Sequence, residues 1–173
     1  MLTKLTYILI VIVLLIINTR GAYAQENADV SASIKVNEES FDYRVYSLKN
    51  YLESHNSPLA EYAEDFVEYA DEYDIDYRMV PAITGVESTF GKRIPSNSYN
   101  AYGWANGEYK FSSWEGSINH VSMTLKTKYI ERGATSISDI AKRYAPPSTT
   151  WGRNVKFFMK KIDVLPVSFS LEG

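Results

Sequence analysis

Not one of the 173 residues is cysteine. Disulfide staples, thiolate metal sites and a lipid-modified cysteine at a processing site are therefore excluded. Histidine is nearly absent as well, with only His55 and His120. No H-E-x-x-H zinc pair and no G-x-S-x-G elbow occur, and a Ser-His-Asp arrangement has little to draw on. No glycine-rich phosphate loop follows a strand. The acid-rich stretch 61–72 lacks the D-x-D-x-D-G run of a calcium loop, so its acids read as a solvated helix face. The period-two alternation of a strand is missing, as are internal repeats and low-complexity segments. An all-α domain without metal or other cofactor is the expectation.

Long apolar runs are confined to one place. Residues 6–17 are almost wholly apolar, Lys4 precedes them, and Ala22-Tyr23-Ala24 offers a small-x-small cleavage signal. The run is short of the roughly 20 residues of a spanning helix. Residues 1–24 are thus expected to be a signal peptide, and the chain extracytoplasmic. An uncleaved anchor is the alternative, and a membrane enters only in that case. Residues 25–37 read as a flexible leader, 38–165 as the domain and 166–173 as a tail.

Charge is uneven. Residues 25–109 carry 6 basic and 16 acidic side chains, whereas residues from Lys110 onward carry 10 and 5. Such a chain does not read as a nucleic-acid binder. Its basic C-terminal half is a solvated surface or a face for an anionic polymer.

Helical periodicity is strong. Phe41, Val45, Leu48 and Leu52 share one face; Leu59, Ala63, Phe66, Val67 and Ala70 share another. Asp76 is placed to cap a helix running to about Thr89, with Pro81 near its start. Ser112 and Glu115 form a capping box for a helix to Gly133, Ser136 and Asp139 a second, and Trp151, Val155, Phe158 and Ile162 mark the last helix. Between them, residues 91–110 break all periodicity. That loop is long and carries Tyr99, Tyr102, Trp104 and Tyr109, too many aromatics for disorder. A short hairpin fits near 99–111.

One acid interrupts the pattern. In "PAITGVESTFGKR", Glu87 falls on or beside the stripe set by Met79, Val80, Ile83, Val86 and Phe90. Burial disfavours a charged carboxylate and prepares it as a general acid near neutral pH. On periodicity alone this role stands level with a boundary glutamate reaching solvent or bonding a core tyrosine. The aromatic, asparagine-bearing loop beside it tilts the balance, because flat aromatic faces stack on sugar rings.

The motifs "VESTFGK", "YNAYGW", "FSSWEGSINHV" and "IAKRYAPP", in that order over about residues 75–160, resemble the glucosaminidase branch of the lysozyme-like superfamily. The Glu-Ser pair is also similar to that of the soluble lytic transglycosylases. The resemblance implies a lysozyme-like helical domain, acting as a monomer, that cleaves the glycan strands of peptidoglycan. It implies Glu87 as the catalytic acid and Ser88 as a residue positioning substrate or helix. Asn100, Tyr102 and Gly103, with the adjoining Trp104, would line the substrate groove, and Tyr144 would face the acid. The chain lacks the Gly-Leu-Met-Gln run that follows the Glu-Ser helix in many lytic transglycosylases. A second catalytic carboxylate is not evident; Glu108, Glu115 and Asp139 are the candidates, the last two also readable as capping partners. Without one, the substrate's 2-acetamido group would serve as nucleophile, and hydrolysis and anhydro-product formation both stay open. A glycan-binding module without turnover is the rival reading.

Overall fold

The computed structural model describes residues 41–162. The expected signal peptide, leader and tail lie outside them. The chain separates into residues 1–41 and a unit from residue 42 onward, and every helix named below belongs to the second unit.

That unit is all-α. Among the described residues six α-helices follow in order: α1 (Tyr43–Ser54), α2 (Ala63–Glu72), α3 (Met79–Ser88), α4 (Trp114–Thr124), α5 (Ile137–Tyr144) and α6 (Trp151–Ile162). No strand occurs among the described residues. Where a hairpin was expected, one backbone bond, from Phe111 N to Ser98 O at 2.9 Å, closes an irregular loop.

Three of the six starts are set by short polar side chains that accept otherwise orphaned amides. Asp42 accepts from Arg44 N ahead of α1, leaving Phe41 outside the helix. Ser136 accepts from Asp139 N ahead of α5. At α4 the cap is Ser113, not Ser112: Ser113 is extended and accepts from Gly116 N at 3.0 Å. Asp76 bonds Arg78 N at 3.0 Å, one turn ahead of α3, whose cap position is taken by Arg78.

Helix α3 is buried nearly all round, with Met79 to Thr84 inside the core, and it packs chiefly on α6. With Ile83 of α3, Leu48, Leu52, Phe66, Ile118, Val121, Ile140 and Val155 form one core cluster at 1 % exposure or less. Each such side chain stabilises by about 1.5–3 kcal/mol. Gly85 is a poor helix former, yet it has a reason to be there. A Cβ on Gly85 would lie 2.6 Å from the Phe90 ring, so its absence leaves the notch in which Phe90 seats. The chain doubles back to reach that notch through three successive left-handed residues, Thr89, Phe90 and Gly91. This tight reversal ends α3 at Glu87-Ser88 and delivers the chain into the irregular loop.

Helix α4 continues as a π-helical turn over Leu125–Ile130 before Gly133 ends it. The wider turn shifts the side-chain phase, and Tyr129, packed against the core, also lines the same hollow as Glu87.

Candidate active site

Glu87 occupies the last turn of α3 and opens into a cleft of about 570 Å³. Gly103, Trp104 and Tyr109 from the loop, Tyr129 from the π-helical turn and Tyr144 from α5 form its walls. Among the described residues Glu87 is the one acid lining this cleft.

The carboxylate is held from two sides. Trp151, the first residue of α6, donates its indole N–H to Glu87 Oε1 at 2.6 Å. On the other side stands Gly103, with φ +71°; a Cβ there would come within 2.7 Å of Glu87 Oε2. Gly103 therefore meets two demands at once, a left-handed backbone and an empty Cβ position. An indole N–H donates and cannot accept. Oε1 is thus committed as an acceptor, and when Glu87 is protonated the hydrogen resides on Oε2, on the Gly103 side. Burial raises the Glu87 pKa above the usual carboxylate range, and the Trp151 bond opposes part of that rise.

Aromatic contacts lock Trp151 in turn. Its ring stacks on Tyr144 at 4.8 Å with planes 26° apart. The Tyr144 hydroxyl donates to Tyr102 O at 2.8 Å and accepts from Trp104 Nε1 at 3.1 Å. Burial, reinforced by the nearby Glu87 charge, pushes the Tyr144 pKa well up, so this hydroxyl keeps its proton at neutral pH. Arg143 donates to Tyr129 O and Arg132 O, tying α5 to the turn that presents Tyr129.

The sequence-derived candidates separate into two groups. Glu87, Gly103, Trp104 and Tyr144 meet around the cleft. Ser88, Asn100 and the Tyr102 side chain lie behind it, at 3 %, 2 % and 1 % exposure. The Ser88 hydroxyl contacts Thr84 O and Ala101 O and accepts from Gly91 N, pinning the loop to the helix end. Asn100 is the hub of the loop: its Nδ2 donates to Trp104 O and Tyr109 O, while Oδ1 accepts from Tyr102 N and Trp104 N. These groups shape the cleft from within, and their polar atoms are already engaged by protein. Tyr102 contributes its carbonyl to the site; its ring is core.

The three candidates for a second acid are elsewhere. Glu108 is exposed, Glu115 is exposed and accepts from Tyr69 OH, and Asp139 is held by Lys142 and Ser136 at the start of α5. Lys142 and Ser136 push the Asp139 pKa down to about 2, the opposite of what an acid catalyst needs. No group of three or more His, Asp or Glu side chains converges as a metal site among the described residues.

Trp151 and Tyr129 are site residues that the sequence motifs do not single out. A buried indole N–H needs an acceptor, and that requirement was the available signal for Trp151. His120 lies among Trp104, Tyr109 and Phe111. In comparison with known proteins, no family model and no curated protein matches the chain.

Proposed function

We propose that this chain is a lysozyme-like glycosidase that cuts β-1,4 bonds in peptidoglycan glycan strands, exported from the cytoplasm, with Glu87 as acid and then base. The observation that carries the reading is a half-buried, raised-pKa carboxylate lining an aromatic cleft. Trp104, Tyr109 and Tyr129 offer apolar faces to sugar rings.

The lone acid in the cleft favours substrate assistance. The 2-acetamido oxygen attacks the anomeric carbon, the bond to the leaving oxygen breaks, and Glu87 Oε2 gives its proton to that oxygen. The ionised Glu87 then takes a proton from water, or from the sugar's own 6-hydroxyl, as that oxygen displaces the acetamido group. The first route yields a reducing end, the second a 1,6-anhydro end. Trp151 steadies the carboxylate during its charged interval.

Digestion of purified wall glycan by the protein and by Glu87→Gln, followed by mass spectrometry, tests the reading. Wild-type protein should release fragments, and the variant should release at least about a hundredfold less. Equal release by both, or none by either, defeats the catalytic claim. The same lone acid also suits the rival, a glycan-binding module without turnover, which would sediment with insoluble wall material and release nothing.

A further inference from the structure

Helix α5 has a second flank. Tyr144 and Ala145 face the Glu87 cleft, while Ser138, Ala141 and Lys142 face a separate groove of about 440 Å³ between α5 and α6. The two hollows share no lining residue. The groove's floor is small. Gly152 of α6 faces Ala141 of α5 so closely that a Cβ would lie 3.2 Å from the Ala141 Cβ.

Its rim is cationic. Lys142 projects from α5, and Arg153 and Lys156 project from α6. Lys156 Nζ reaches across to Ser138 Oγ at 2.9 Å, bridging the two helices. Lys142 pairs with Asp139, but the Lys142 side chain is 75 % exposed and such a pair is worth little in water. Arg153 has no hydrogen bond, ion pair or ring contact among the described residues. Ser148 and Thr149 add hydroxyls at the mouth. Residues 137–162 hold 6 basic side chains and 1 acid, the Asp139 that pairs with Lys142, so positive charge predominates along these two helices. Repulsion of that kind opposes folding unless something else accounts for it.

We propose that this groove binds the phosphate groups of an anionic polymer. A phosphate presents several acceptor oxygens in different directions. The planar Arg153 fork, the Lys142 and Lys156 ammonium groups and the hydroxyls converge on one hollow in matching fashion. Lys160 continues the row beyond the groove at helical spacing from Arg153 and Lys156, which suits repeating anions. The concave shape argues for discrete groups of a chain over a flat lipid surface. Nothing in this proposal depends on the glycosidase reading, since binding is read directly.

The test is a titration of the purified protein with inorganic phosphate and with a short poly(glycerol phosphate), followed by amide NMR at low and physiological salt. Shifts should centre on Ser138, Ser148, Thr149 and Gly152, and affinity should fall as salt rises. Arg153→Ala and Lys156→Gln should each weaken polymer binding by about tenfold, with unchanged melting curves as the folding control. Lys128→Ala, equal in charge removed but outside the groove, should leave binding intact. No binding of the polymer overturns the proposal, as does an equal loss from Lys128→Ala. Equal affinity for polygalacturonate also overturns it, by showing a general cationic surface. So does binding only to phosphatidylglycerol vesicles that is abolished by Phe157→Ala, the exposed aromatic on the same helix.

Discussion

Replacing Trp151 with phenylalanine separates the two forces on Glu87. The substitution keeps an aromatic ring against Tyr144 and deletes the N–H that Oε1 accepts at 2.6 Å. Hydrogen bonds to charged groups contribute about 1.5–3 kcal/mol. This one favours the ionised acid, and 1.36 kcal/mol corresponds to one pKa unit. The neutral acid accepts this bond as well, so only its extra strength to the carboxylate counts; burial remains and that extra is removed, so the Glu87 pKa should rise further. The acid must be protonated for the first step, so kcat/KM falls as pH rises through this pKa. The alkaline limb of the pH profile should therefore move to higher pH by about the same amount. Carboxyl 13C NMR, with Glu87→Gln to assign the signal, reads the titration without any substrate. Movement of both readouts by less than about 0.3 units, or to lower pH, would refute the argument that the indole offsets burial. A shift in the NMR titration with no measurable turnover would leave the electrostatics standing and count against the enzyme reading alone.

Two other substitutions probe the scaffold. Gly103→Ala places a Cβ 2.7 Å from Glu87 Oε2 on a left-handed backbone, so kcat/KM should drop at least about tenfold and stability by about 1–2 kcal/mol; retained activity measured on wall glycan would show the carboxylate does not need its present position. Ser88→Ala removes a buried hydroxyl and strands Gly91 N and Ala101 O, which should lower stability by about 2–4 kcal/mol in urea unfolding; a loss below about 0.5 kcal/mol would mean the loop is anchored by other contacts.

Periodicity sufficed for the helices because their buried residues are spaced by the helix repeat itself: Leu48 and Leu52, Ile118, Val121 and Leu125, Val155 and Ile162. Glu87 stood out by the same logic, as an acid out of keeping with its stripe. What escaped was set by backbone detail. Ser112 and Ser113 are interchangeable on paper, and the extended conformation of Ser113 makes the choice. Asn100 was placed at the cleft by the resemblance of "YNAYGW" to a groove-lining turn. Its four-way bonding of loop backbone is visible only once Trp104 and Tyr109 are seen returning to it. Tyr129 follows Val121 and Leu125 at helical spacing, and the π-helical turn that alters the phase there leaves no mark in the sequence. Trp151 lies 64 residues from its partner Glu87, beyond the reach of any local pattern.

Helix α5 is a partition wall shared by two rooms. It is eight residues long, about 12 Å, and roughly 10 Å thick with its side chains. The interval between the Glu87 cleft and the cationic groove is therefore fixed by a rigid rod and not by a loop. An insertion in the irregular segment 92–113 would reshape one room and leave the other, and the spacing between them, untouched. A substitution that lengthened or unwound α5 would change both together. The two hollows are thus independent in composition and inseparable in geometry.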